Sequence, residues 1–231
     1  MLYLNSSYLM YMLPALLLMM LTQWYVNSSY KKYSQVAARS GLTGAQAAQR
    51  LISSSGLFQV RIETVRGNLT DHYDPRSKTL RLSAGVAQSP SVAALASSAH
   101  ELGHDIQDAE NYFPLRLRAA LVPAVNIGSY LGWILIFIGL MLRMTDLAWL
   151  GVLVFAGGAV FALATLPVEL NASKRARALL ADTGLIQGDD EQRGVNNVLN
   201  AAALTYVASL LAAFSQLLYY ISLVAGAIRR R

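Results

Sequence analysis

Residues 119–168 read AALVPAVNIGSYLGWILIFIGLML-RMTD-LAWLGVLVFAGGAVFALATLPV, two uncharged runs joined by four residues that include Arg143 and Asp146. A helix needs about 20 consecutive apolar residues to cross a bilayer, and each run meets that length. In hydrocarbon the backbone finds no water to bond, so such a run must be helical. The short link makes the two runs a tight helical hairpin. Working outward, residues 1–30 carry no charge, with an apolar centre from Leu9 to Val26. They lack the basic start and small-residue cleavage site of a secretory signal, and Lys31 and Lys32 follow, so they read as an uncleaved anchor. The last run extends from Gly194 to Ile228 and is closed by Arg229, Arg230 and Arg231. Val195 to Val224 holds neither Gly nor Pro. As one helix at about 1.5 Å per residue the run reaches roughly 50 Å, so one end is expected to project into the polar part of the chain.

Composition agrees. Hydrophobic residues make up 55% of the 231 and charged residues 14%, against roughly 25% charged in soluble chains; mean hydropathy is +0.38. The net charge of +6 comes without a nucleic-acid motif or a dense basic block, so a basic surface beside anionic lipid accounts for it and no nucleic-acid partner is expected. There is no cysteine, which excludes disulfides, a catalytic thiol and thiolate metal ligands. With four spans, the segments 31–118 and 169–193 share one side. That side carries Lys31, Lys32, Arg39, Arg116, Arg118, Lys174, Arg175, Arg177 and Arg193 near span ends. The positive-inside rule places it in the cytoplasm, with both termini outside, against the pull of the terminal arginines.

The chain therefore divides into an anchor (1–30), a polar domain (31–118), a transmembrane hairpin (119–168), a further polar helix and loop (169–193) and a long C-terminal transmembrane helix (194–231). The polar domain reads as mixed α/β. Thr43 is a plausible cap for a helix through Ala45, Ala48, Leu51 and Ile52 that stops near Gly56. Phe58 to Thr64 and Thr79 to Ser83 read as strands, the second alternating Leu80 and Leu82 with polar neighbours. Gly67-Asn68 and Asp74-Pro75 mark turns. Ser89 as cap and Pro90 at the first position open a long helix running to about Asp108.

That helix carries His100-Glu101-Leu102-Gly103-His104. Positions i and i+4 of a helix lie on one face, so both imidazoles can reach one ion. Zinc suits two neutral nitrogens and one further N or O donor, with a fourth position for water whose pKa it lowers towards ~7. Glu101 is placed to act as the general base that takes the water's proton and hands it to the departing amine. Gly103 costs about 1 kcal/mol inside a helix relative to Ala, which implies a close approach there. For the third ligand the candidates are His72, in a turn-rich connection, and Glu169, directly after the third span. A carboxylate at the edge of an apolar run is costly unless bound to a cation, which favours Glu169. Pro167 suggests a helix break just before it.

These blocks together resemble a known family, the YugP-like membrane neutral zinc metallopeptidases of bacteria. The resemblance rests on His72-Tyr73-Asp74-Pro75 with Leu80-Arg81-Leu82-Ser83, on Ala99 to Gln107 around the two histidines, and on Leu121-Val122-Pro123. It continues with Leu166 to Ser173 and Ala201 to Val207. It implies an integral membrane protein, mainly α, with about four transmembrane helices and a small zincin-like α/β metallopeptidase domain at the surface of the bacterial inner membrane. It implies one catalytic Zn²⁺ held by His100, His104 and, by similarity to membrane gluzincins, Glu169, with Glu101 as base. Asn171 or Ser173 would take the place of an acidic residue that orients a ligand histidine in those relatives. Zincins align an extended substrate along a strand edge, and Thr79–Ser83 is the expected edge. Tyr206, Arg175, Arg177 and His72 are candidates for stabilising the oxyanion. The substrates implied are polypeptides, membrane proteins above all, and membrane-protein partners or a homo-oligomer fit the same setting. A zinc-binding scaffold or pseudoprotease is the rival reading, disfavoured by the intact set of Glu101 and ligands. A transporter is disfavoured because the hairpin spans contain no ionisable residue.

Overall fold

Among the described residues, four helices are long and apolar enough to cross a membrane: α1 (Ser6–Ser34), α5 (Phe113–Met141), α6 (Thr145–Asp182) and α7 (Gly188–Arg229). Between the first two lie α2 (Gly44–Ser55), β1 (Arg61–Val65), β2 (His72–Asp74), β3 (Thr79–Ser83), α3 (Ala84–Ala87) and α4 (Val92–Ala109). The computed structural model describes residues 6–57 and 59–229, with side chains as far as Ala227. The expected first residues of the anchor, Phe58 of the first strand, and Arg230 and Arg231 lie outside the described residues.

Contacts group the chain into two compact units. One comprises Met1–Thr22, Phe113–Pro167 and Thr205–Arg231, the other Gln23–Tyr112 and Val168–Leu204. Within the first, α5 and α6 are joined through Arg143, whose φ of 57 turns the chain while Met144 N–H bonds Gly139 O at 2.7 Å. Glycines let their backbones touch. A Cβ on Gly139 would lie 2.5 Å from Ala148 N, and one on Gly132 would lie 2.8 Å from Phe155 N. Small residues at the contact are how helices pack without a hydrophobic drive between them. Large apolar side chains such as Ile127, Tyr130 and Leu153 remain exposed, as lipid-facing positions would.

The second unit has a core of its own. Leu51 of α2, Leu80 and Leu82 of β3, Leu95 and Leu102 of α4, Leu180 of α6 and Leu199 of α7 are among its fully buried side chains. Helix α2 forms as expected. Thr43 accepts from Gln46 N–H, Gln46 reaches back to Thr43 N–H, and Gly56 ends the helix at a φ of 72. The three strands order as β1-β3-β2, with β1 parallel to β3 (Arg61↔Thr79) and β2 antiparallel to it (His72↔Arg81).

Several expectations are corrected. The cap of α4 is Ser91, which accepts from Ala94 N–H, and not Ser89. Pro90 O accepts from Ala38 N–H and Val92 N–H bonds Val36 O, so a strand-like bridge at Ala37 and Ser91 keeps Pro90 and Ser91 extended. The first strand pairs only from Arg61. Residues 72–74, expected as part of a turn-rich connection, form β2. Pro167 does not break its helix: α6 runs uninterrupted for 38 residues. An interior proline costs about 3 kcal/mol, but Val168, Glu169, Ala172, Ser173, Ala176 and Leu180 beyond it are all buried. Their spacing of three and four residues pins one helical face into the core. The first part of α7, to Leu204, likewise belongs to this unit.

Glu191 in the first turn of α7 is 1% exposed and accepts from the backbone N–H groups of Arg39 and Gln187, each at 2.6 Å. Asp190 beside it is exposed and pairs with Arg39 at the surface. Replacing Glu191 with Ala leaves two backbone donors unpaired, at about 1–3 kcal/mol each. Thermal unfolding in detergent should show a clear loss of stability for Glu191→Ala and almost none for Asp190→Ala.

Candidate metal centre

Helix α4 presents His100 and His104 one turn apart, their ring centroids 5.0 Å from each other. Glu169 of α6 faces both. Its Oε2 lies 3.3 Å from His100 Nε2 and 3.4 Å from His104 Nε2. One donor atom from each of the three falls within 4.8 Å of the others. The imidazoles are 12% and 13% exposed and Glu169 is 2% exposed, so the carboxylate is withdrawn from water with the two rings for company. His72, the other candidate ligand, stands apart from this group: it is an exposed residue of β2 whose Nδ1 pairs with Thr70 O.

Gly103 explains how α6 comes this close. A Cβ there would lie 2.5 Å from the carbonyl oxygen of Ala172 and 3.1 Å from its Cα. Around the contact each imidazole is held at its other nitrogen. Ser173 Oγ is 3.2 Å from His100 Nδ1, so of the two orienting residues expected it is Ser173 that meets a histidine. Gln107 Oε1 is 3.0 Å from His104 Nδ1. Asn171 bonds instead to Gln107 Nε2 and Arg175 Nε. Gln107 was not anticipated as part of the site. Its one signal in the sequence is its place three residues after His104, which puts it on the same helical face.

Glu101 sits beside this group, half-buried. Its Oε2 accepts from the backbone N–H of Tyr73 in β2 at 3.1 Å. Burial pushes its carboxyl pKa up, with His100 and His104 opposing. Burial works against charge on His104, yet Glu169, Glu101 and Gln107 outweigh it and raise its pKa; the pocket attracts positive charge. The Tyr73 hydroxyl continues along α4 and donates to Asp108 Oδ2, which Lys78 also meets. The expected edge, Thr79–Ser83, is the middle strand of the sheet, flanked on both sides. From Thr79 to Arg81 both of its edges are paired, and Ser83 N–H bonds Asp71 Oδ1; β2 is the outer strand that borders α4 and Glu101. Of the oxyanion candidates, Arg175 is paired with Glu110 and Asn171, and Arg177 with Asn196 and Asn200. Tyr206 belongs to the other unit.

Residues 8–225 match the model of a family described as "Putative neutral zinc metallopeptidase". The chain belongs to this zinc metallopeptidase family. It is 44% identical over 199 residues to the "Putative membrane protease YugP" of Bacillus subtilis (strain 168), covering 86% of this chain and 88% of the relative. No solved structure matches. Family membership implies zinc, and the donor set suits it: two imidazole nitrogens with one carboxylate oxygen is a combination found in catalytic zinc sites. Each imidazole also has a hydrogen-bonding partner at its second nitrogen, as metal-binding histidines do.

The contact at Gly103 sets a sharp expectation for this family member. Gly→Ala in a helix ordinarily stabilises by about 1 kcal/mol. Here the added methyl meets backbone, and overpacking costs about 1–3 kcal/mol. Gly103→Ala should lower the unfolding temperature and the zinc retained after dialysis, both measured on the purified protein.

Proposed function

We propose that this chain is a membrane-embedded zinc endopeptidase that hydrolyses peptide bonds of membrane or membrane-proximal proteins. The observation that carries the reading is the convergence of His100 Nε2, His104 Nε2 and Glu169 Oε2, with the Glu101 carboxylate alongside. His100, His104 and Glu169 would hold one zinc ion, and zinc bound there supplies a Lewis acid and a water of lowered pKa. Glu101 takes a proton from the attacking water and returns it to the leaving amine. Tyr73 N–H orients the Glu101 carboxylate for that exchange. The outer edge of β2 is where an extended peptide would lie, taking the role first assigned to Thr79–Ser83.

The second unit serves as a zincin-like domain at the membrane surface, and the four apolar helices restrict substrates to those that share or approach the bilayer. The basic residues near the span ends support a cytoplasmic active site in a bacterial inner membrane. The scaffold reading is weaker because a binding module has no use for Glu101, which donates nothing to the ligand set.

Zinc content and casein cleavage by the full-length protein in detergent test this directly. Glu101→Gln should keep its zinc and lose about 10²–10⁴ in turnover. Glu169→Ala should lose zinc as well as activity. Equal cleavage by the unmodified protein and Glu101→Gln rejects the mechanism, and full zinc binding by Glu169→Ala rejects that ligand.

A further inference from the structure

Neutral imidazole has one N–H and one lone pair, so a metal-binding ring works only if the proton sits on the nitrogen away from the ion. His104 meets an acceptor at each nitrogen: Glu169 Oε2 lies 3.4 Å from Nε2 and competes for the proton until a cation takes that side, while Nδ1 faces Gln107. Gln107 is fully buried, and its Nε2 lies 2.7 Å from Val168 O and 3.0 Å from Asn171 Oδ1. A backbone carbonyl only accepts. Arg175 only donates, and its Nε also bonds Asn171 Oδ1, at 2.7 Å, which fixes that atom as oxygen. Turning the Gln107 amide over would set its oxygen against two other oxygens. Its NH₂ must therefore face Val168 and Asn171, and its Oε1 must face His104 Nδ1.

We propose that Gln107 is a positioning residue that keeps the proton of His104 on Nδ1 and the lone pair on Nε2, with Val168 O, Asn171 and Arg175 setting the direction. The proposal rests on the metallopeptidase reading and deepens it. The other ligand ring is set differently. Ser173 meets His100 Nδ1 with a hydroxyl, which donates or accepts equally well and selects neither tautomer.

The ring measurement uses full-length protein in detergent carrying Glu169→Ala, which clears the competing carboxylate from Nε2, stripped of metal and with ¹⁵N-labelled histidine, at a pH where the rings are neutral; the zinc competition keeps Glu169. Only three histidines contribute, and His72→Gln removes the exposed one. Ring ¹⁵N shifts should show His104 protonated on Nδ1. Gln107→Met should abolish that preference and weaken zinc binding about 10–100-fold in a chelator competition. The ring shift separates this role from one of merely tying down Val168 O, which would leave the tautomer of His104 unchanged when Gln107 is replaced. The proposal is overturned if, with Gln107 intact and the Glu169 carboxylate removed, His104 carries its proton on Nε2. It is also overturned if Gln107→Met binds zinc as the unmodified protein does. Failure of the unmodified protein to bind zinc at all would instead reject the metallopeptidase reading beneath it.

Discussion

The backbone contact between Gly103 and Ala172 is the constraint on which the site depends. Two imidazoles on one helix and a carboxylate on another can share an ion only if the helices approach more closely than ordinary side chains allow. The missing Cβ at Gly103 removes the obstacle at the turn that carries both rings. The same approach puts Ser173 and Asn171 of α6 within reach of α4. The grouping of the three candidate ligands and the ring orientation thus follow from one crossing. A buried Glu169 facing two rings would otherwise be an expensive arrangement, since an uncompensated carboxylate removed from water costs several kcal/mol.

Helix α6 adds a second constraint. Its residues up to Pro167 belong to the apolar unit and those from Val168 onward to the unit that holds the site. The proline falls at this division and yet leaves the helix whole. Burial of one face beyond it offsets the lost hydrogen bond. Val168, placed immediately after, lends its carbonyl to Gln107. The helical turn that follows the proline sets Glu169 on the same face as Ala172 and Ser173.

The helical architecture was legible because its signals are local. Uncharged runs of sufficient length announce α1, α5, α6 and α7, and Thr43 with Gln46 and Gly56 announces both ends of α2. The spacing of His100 and His104 and the cost of an unpaired Glu169 brought the three candidate ligands together before any coordinates. What escaped depends on partners remote in the chain. Strand β2 is three residues long and exists through pairing with β3, so no alternation betrays it. That pairing makes β3 central and removes it as an edge. Ser89 looked like the cap of α4 until the extended segment at Ala37 claimed Pro90 and Ser91. Gln107 meets a backbone carbonyl of α6, 61 residues away, and a carbonyl has no letter in the sequence.

Tyr73 carries a single amide hydrogen, and in this structure it is given to Glu101. At that point the rim of the sheet is already spoken for. A polypeptide settling along β2 must step over this position or compete with the carboxylate for the same donor. Pairing at this point of the rim therefore unfastens Glu101, and a fastened Glu101 leaves a gap in the pairing.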